Sequence, residues 1–349
     1  MSSTEVRVPF EELHRTLTAI LVAEGFEQER AAASALLFAE ASRDGVHSHG
    51  LNRFPRFVRN IRDGLVDPSA TPVKVSGDGA VERWDGRRGP GNLNARFAMA
   101  RAIALARERG IGCVALRNTN HWMRAGSYGW QAAEAGMIGI CWTNTLPNLP
   151  PWGSERPLLG NNPLVIAVPR PGGHVVLDMA MSQFSYGSLA GYARSGRPLP
   201  VPGGHDENGE LTRDAAAILR TGRPLPTGYW KGSGLAMLLD IVAATLAGGR
   251  ATCDIEPDFD RETEISQVFL AIPADGSAVA ERVIAGLREE GVRYPGERVL
   301  RDREESLRRG VLVDPEIWNR VREEAATLLR RPAASRGSAV PRTSSPPAE

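Results

Sequence analysis

The stretch HSHGLNRFPRF, residues 47–57, sets two imidazoles one residue apart, with an asparagine and two guanidinium groups close behind them. Three uses compete for such side chains. A catalytic zinc ion takes His, Cys or carboxylate ligands in threes or fours, usually with a second pair at close spacing. The remaining histidines, His14, His121, His174 and His205, stand alone in the sequence, so a metal site would have few ligands to draw on. Acid–base chemistry asks for less. One imidazole titrates near neutral pH and exchanges a proton with a reacting oxygen, while a guanidinium nearby grips a carboxylate through paired hydrogen bonds. His49 and Arg53 supply that pair. The plainer alternative is that both only cap or salt-bridge the start of the next helix, and the residues by themselves leave both readings open.

A second polar cluster, RNTNHWMRAGSYGWQAAEAG at 117–136, follows an apolar run and opens a helix. Sites in α/β proteins collect at such strand ends. Asn118, Asn120, His121 and Arg124 bring polar groups there, and Gly126 permits close backbone approach. Caps and turns are the common alternative use of Asn and Ser. WTNT and LGNNP likewise put Asn and Thr just past apolar strands. The dinucleotide fingerprint G-x-G-x-x-G is absent, because GIGCVA (110–115) and KGSGLAM (231–237) lack the third glycine.

These clusters need a frame. FEELHRTLTAILVAEG and EQERAAASALLFAEASRDG have apolar positions three or four apart and end in glycine, so both read as helices. PRFVRNIRDG, with proline at its start, reads as a third, and HSHGLNR is the loop that enters it. From about residue 73 the period changes to strands alternating with helices: a hairpin in VKVSGDGAVERWDG, the helix ARFAMARAIALARERG, and strands in IGCVALRN, MIGICWTNT, LVIAVP, HVVLDMA and ISQVFLAIP. The fold class is therefore α/β. A polar, Gly- and Pro-rich insertion is expected at 195–228, and the Pro-, Ser- and Ala-rich tail 331–349 is expected to be disordered.

With 42 Lys plus Arg against 41 Asp plus Glu, the net charge of +1 gives no field that would draw the chain to nucleic acid or an anionic membrane. The longest apolar run, GSGLAMLLDIVAATLAGG at 232–249, is broken by Asp240 and is expected to be a buried core helix rather than a membrane span. The start, MSSTEVRVPFEELH, lacks the pattern of a secretory signal. Cys113, Cys141 and Cys253 have no C-x-x-C spacing and are expected to be reduced packing residues of a cytoplasmic protein.

Taken in order, SHGLNRFPRF, GIGCVALRNTNHWMRAGSYGWQAAEAGMIGICWTNT, PPWG, NPL, MSQFSYG, LPTGYWKGSGLAMLLD and PGE resemble the malate/L-lactate dehydrogenase family that lacks the Rossmann fold, from about residue 8 to 330. The resemblance implies a non-Rossmann dinucleotide-binding α/β domain with a mixed sheet at 73–290, plus a helical domain built from residues 1–72 and C-terminal segments near 290–330. It implies a homodimer that reduces a small 2-oxo acid, or oxidises the 2-hydroxy acid, with NAD(H) or NADP(H). The family's S-H-G histidine falls on His49, the implied proton donor, with Ser48 beside it. Arg53 is the implied carboxylate anchor, and His121 the implied second wall of the substrate pocket. Cofactor contacts map onto His174, Val175, Val176, Leu177, Asp178, Met179 and Ala180, onto Trp230 and Lys231, and onto Gly296, Glu297 and Arg298. Asp178 is also expected to orient His49 or keep it protonated.

Two positions depart from the family pattern. His47 precedes S-H-G and is expected to face solvent, and Arg298 replaces a carboxylate, a change that would favour the 2′-phosphate of NADP(H). Retention of HWMRAGSYGW points to a sugar-derived keto acid as substrate. Malate, lactate, ureidoglycolate or a cyclic imino acid are the rivals on the same scaffold, and a non-catalytic ligand-binding protein is the rival from another class.

Overall fold

The computed structural model describes residues 6–274 and 277–330, so the expected disorder of 331–349 concerns residues outside the description. The chain opens with strand β1 (Val6–Val8) and helices α1 (Phe10–Ala23), α2 (Gln28–Arg43) and α3 (Phe54–Arg62). It continues through β2 (Val73–Ser76), β3 (Val81–Asp85), α4 (Gly91–Arg109), β4 (Gly112–Thr119), α5 (Gly126–Glu134), β5 (Met137–Thr143), β6 (Leu164–Val168) and β7 (Val175–Met179). A peripheral segment holds α6 (Tyr186–Ser195), the short hairpin β8 (Gly204–His205) and β9 (Leu211–Thr212), and α7 (Ala215–Thr221). The chain ends with α8 (Trp230–Ala247), β10 (Ile265–Pro273), α9 (Ser277–Glu289), α10 (Glu297–Arg309), β11 (Val311–Val313) and α11 (Pro315–Arg330).

The helical part is held by periodicity. Leu13, Leu17, Ile20 and Leu21 lie one or two turns apart on α1 and are fully buried. They meet Phe38 of α2, Phe54 and Phe57 of α3, and Trp318 and Val321 of α11 in one apolar cluster. Phe38 packs edge-on against Phe54, with ring centroids 5.3 Å apart. The two ends of the chain close this unit, since β1 pairs antiparallel with β11 through Val6 and Val313.

The sheet runs β2-β3-β4-β10-β5-β6-β7. Strands β3 and β4 are parallel and the other neighbouring pairs antiparallel, so the protein is an α/β protein with a mixed sheet. Helices cover both faces of the central strands, which is why β4 reads as an unbroken apolar run rather than an alternating one. Alternation decides the partners instead. Val114 and Leu116 join the layer under α4 and α5, whereas Cys113 and Ala115 face α8.

Two expectations need correction. Helix α8 is not a buried core helix: Ala236, Leu239, Ala243 and Ala247 pack on the sheet, but Leu235, Met237, Leu238, Ile241 and Val242 are exposed on its outer side. By length and composition alone Trp230–Ala247 could cross a membrane. Its Asp240 is nevertheless fixed against the body of the fold, accepting from Asn144 Nδ2 at 2.9 Å and from the Thr252 amide at 2.9 Å. Cys113 and Cys141 are buried packing residues, but Cys253 is exposed and packs in no core. The segment 195–228 also carries more order than its composition suggests, with α7 capped by Asp214, which accepts from Ala216 N and Ala217 N.

Candidate active site

A cavity of about 760 Å³ opens where the turns before α3, the strand ends and the start of α10 converge. Ser48, His49, Arg53, His121, Val176, Leu177, Asp178, Ala180, Gly296 and Arg298 all line it. His174, Val175, Met179, Trp230, Lys231 and Glu297 do not. His174 takes the Arg170 amide on Nδ1 at 3.1 Å behind β7. Met179 points to the opposite face, among the residues under α8, and Glu297 pairs with Arg288 at 3.5 Å. Trp230 is 67% exposed, with the Lys231 ammonium 6.0 Å from its ring centre.

His47 and His49 occupy one turn of 3-10 helix, and Leu51–Arg53 occupy the next. Consecutive tight turns send alternate residues different ways. His49 lines the cavity, whereas His47 is half-buried near Asp302 and Arg298, neither in the site nor free in solvent. The turn is locked by α2: Ser42 Oγ accepts the Leu51 amide at 2.8 Å.

His49 Nδ1 is 2.9 Å from Ser48 Oγ. Among the described residues no protein group bonds its Nε2. His49 and His121 stack with ring centroids 5.8 Å apart and planes 17° apart, and His121 in turn accepts the Met123 amide on Nδ1 at 3.0 Å. Enclosure, then the cationic Arg53 and Arg124, push the His49 pKa down to about 4. His121 is depressed further by the same burial and by Arg53 and His49. These surroundings therefore favour two neutral imidazoles at pH 7 rather than the expected resting imidazolium.

Arg53 also feels burial and the neighbouring Arg56, which bring its pKa down to about 10, so it stays a cation at neutral pH. No ion-pair or hydrogen-bond partner engages it among the described residues. Asp178 does not orient His49; its carboxylate accepts the Gly126 amide at 2.8 Å. A side chain at Gly126 would put its first carbon 2.8 Å from that oxygen, so the close approach needs glycine. Asp178 lines the cavity with much of its surface exposed, and desolvation by the surrounding protein raises its pKa against the pull of Arg124.

Asn118 and Asn120 take the structural alternative. Asn118 donates to Asp85 at 3.0 Å and Asn120 to the Arg88 carbonyl at 2.8 Å, away from the cavity. Asn161, from the LGNNP stretch, lines it, as do residues that sequence reasoning passed over, notably Glu262, Asn148, Tyr186 and Phe259. Glu262 sits in DFDRETE, a run whose composition reads as solvated surface. Among the described residues no three His, Cys, Asp or Glu side chains gather as a metal site would require.

The mixed sheet thus carries a cavity in which His49 and His121 stand with Arg53, and the sequence around it has relatives. The chain belongs to the malate/L-lactate dehydrogenase family, which it matches over residues 8–322, and it is an oxidoreductase. It is 44% identical to a 2,3-diketo-L-gulonate reductase of Citrobacter koseri over 330 residues, 90% of this chain and 99% of that one. It is 42% identical to the protein of the same name from Escherichia coli, with the same coverage. Among solved structures, Δ1-piperideine-2-carboxylate reductase from Pseudomonas syringae superposes with a TM-score of 0.83 at 31% identity, covering 91% of this chain and 99% of that one.

Proposed function

We propose that the protein is a nicotinamide-dependent reductase of 2-oxo acids that acts on 2,3-diketo-L-gulonate or a similar sugar-derived keto acid. One observation carries the reading: His49, stacked on His121, shares a cavity with Arg53, a guanidinium that no carboxylate of the described protein engages. A reduced nicotinamide supplies the hydride when bound. Arg53 holds the substrate carboxylate through paired hydrogen bonds, which sets the C2 carbonyl toward His49. Reduction at C2 develops negative charge on that oxygen, and His49 delivers a proton to it from Nε2 while Ser48 Oγ fixes the ring through Nδ1. Substrate binding also favours the acid, because a carboxylate on Arg53 offsets one of the two cations that, after burial, depress His49. His121 lines the same pocket as a neutral second donor. In the reverse direction the resting neutral His49 is already the base.

The residues fit a dinucleotide held without a Rossmann fold. Gly296 caps the N-terminus of α10 with φ +96°, and a side chain there would begin 3.1 Å from the Val176 amide. That leaves a shallow cradle between β7 and the positive end of a helix, the arrangement that suits a pyrophosphate. Asp178 closes the cradle at the start of α5. Arg298 is already paired with Asp302 at 3.1 Å, which supports NAD(H) as the first choice and NADP(H) as the second. Trp230 and Lys231 lie beside the exposed apolar side of α8, which supports a homodimer in which they approach the partner's cofactor. The small-molecule substrate, near-neutral charge and unpaired thiols fit a cytoplasmic enzyme.

The test is the loss of reduced-nicotinamide absorbance with NADH and NADPH in parallel, offering 2,3-diketo-L-gulonate, oxaloacetate, pyruvate and Δ1-piperideine-2-carboxylate. The highest kcat/KM is expected for the sugar acid with NADH. A preference for the cyclic imino acid would select the second reading, which the likeness to the Pseudomonas syringae enzyme favours. Silence on all four, with cofactor still bound, would overturn the reductase reading. Arg53→Lys is expected to raise KM for the 2-oxo acid roughly ten- to a hundredfold, because a point-charge ammonium cannot form the paired bonds of a guanidinium. An unchanged KM in steady-state kinetics would free Arg53 of that role.

A further inference from the structure

The wall of the cavity formed by the loops after β5 and before β10 presents polar atoms that neither the fold nor the proton transfer uses. Glu262 is 6% exposed and lines the cavity. Its Oε1 accepts the Leu146 amide at 3.1 Å, and no donor among the described residues reaches Oε2. No ion pair joins it to Arg53, although the two charges share the pocket. Next along the same wall, Thr145 Oγ1 donates to Asn161 Oδ1 at 3.2 Å, and the Asn161 amide is fixed by Asn148 Oδ1 at 2.8 Å. The Asn161 side chain is thus held by its oxygen, and its Nδ2 has no acceptor among the described residues.

Glu262 Oε2 and Asn161 Nδ2 are therefore open to the cavity, where a bound molecule can pair with them. An ionised carboxylate only accepts. A simple 2-oxo acid has only acceptors at C1 and C2, so it cannot satisfy Glu262, and a second carboxylate would be repelled by it. A chain of hydroxyl groups both donates and accepts, and so satisfies Glu262 Oε2 and Asn161 Nδ2 together. This inference rests on the proposed 2-oxo acid reduction and adds the part of the molecule that reads the rest of the substrate.

We propose that Glu262, with Asn161, is the specificity determinant that engages hydroxyl groups on the substrate chain beyond C2, and that Glu262 excludes dicarboxylic 2-oxo acids. The two do not take part in hydride or proton transfer. They act through binding of the chain, while Arg53, which lines the same cavity, holds the carboxylate.

Three six-carbon substrates separate the possibilities: 2,3-diketo-L-gulonate with its hydroxyls, 2-oxohexanoate with none, and 2-oxoadipate with a second carboxylate. Glu262→Gln keeps the shape and the bond from Leu146. It is expected to lower kcat/KM for the hydroxylated acid about tenfold or more, chiefly through KM, as the loss of a hydrogen bond to a charged group does. It is expected to raise kcat/KM for 2-oxoadipate by a similar factor and to leave 2-oxohexanoate within about twofold. An equal change for all three, or none, would overturn the proposal, since a carboxylate that only balances Arg53 or supports Leu146 affects every substrate alike. Unaltered melting temperature and NADH affinity in the variant show that it is folded; if it is not, Asn161→Asp decides, with the hydroxylated acid expected to lose affinity selectively. A wild-type enzyme that reduces none of the three would remove the 2-oxo acid reading and this inference with it, whereas turnover without the selective shift would remove the inference alone.

Discussion

His49→Ala is expected to lose reduction turnover by on the order of a hundred- to ten-thousandfold while retaining affinity for reduced nicotinamide, because general acid catalysis contributes about that much. The variant removes the proposed proton source and leaves the proposed cofactor cradle at Gly296 and Val176 unaltered. Stopped-flow hydride transfer and a cofactor titration separate the two properties, and near wild-type turnover would remove His49 as the donor. The pH profile adds a sharper check. A pKa of about 4 means that the free site carries its proton only in acid. Above that value the protonated share falls tenfold per pH unit, so kcat/KM for reduction should decline by about that slope from pH 5 upward, since it reports the free enzyme. In the oxidation direction the neutral base is already present, and kcat/KM should be flat over the same range. The kcat profile for reduction should hold to higher pH, because it reports a complex in which the substrate carboxylate offsets Arg53. A flat kcat/KM for reduction in the wild type, or the same slope in His49→Ala, would contradict the assignment.

Asp44→Asn is the substitution expected to cost the most stability. Asp44 is 1% exposed and meets three guanidinium groups: Arg43 at 2.8 Å, Arg124 at 2.6 Å and Arg303 at 2.7 Å. These belong to α2, the segment before α5, and α10, so the cluster joins the helical unit, the sheet layer and the C-terminal segment. Arg303 also lies over the Trp130 ring, 4.8 Å from its centre. Removing the Asp44 charge leaves Arg124 and Arg303 with no carboxylate in contact among the described residues and Arg43 with Glu40 alone, which costs about 3–5 kcal/mol. For a domain larger than about 150 residues that lowers the melting temperature by on the order of 10 °C. Breaking the exposed pair Arg220–Glu207 with Arg220→Ala should change stability by less than about 0.5 kcal/mol. Calorimetry on both variants decides whether burial makes the difference. The arginines hold the Asp44 carboxyl well below its ordinary value of 3.8 despite desolvation, which acts the other way. With the folded pKa depressed, the cluster's contribution is whole above pH 3.8 and is lost only as pH falls toward the folded value. Asp44→Asn should therefore flatten the acid limb of the stability curve as well as lower the plateau.

What was legible in the sequence was local. The spacing of Leu13, Leu17, Ile20 and Leu21 marks a helix because side chains one turn apart share a face whatever packs on them. The apolar run of β4 marks a strand covered on both sides. The order of S-H-G, N-H-W and P-G-E along the chain indicated the family, and so the first candidates for the site. The charge balance set aside polyanionic partners. Composition misled where burial depends on neighbours: α8 looks like a core helix but covers the sheet with one side only. Cys253 looks like Cys113 and differs only in what surrounds it.

The site itself was decided by the tertiary structure. His49 and His121 stack although a long stretch of chain separates them. Asp178, the expected partner of His49, is instead committed to the start of α5, and Ser48 takes its place. Glu262 sits in an acidic loop that resembles any solvated turn until the fold encloses it beside Arg53. Periodicity and capping act between residues a few positions apart, so the sequence alone determined where helices and strands run and which family the chain resembles. Desolvation, the charge each group feels and the identity of its hydrogen-bond partner depend on segments that only folding brings together, so only the tertiary structure decided that the histidines rest neutral, that Arg53 is uncommitted and that the Glu262 carboxylate lines the same cavity.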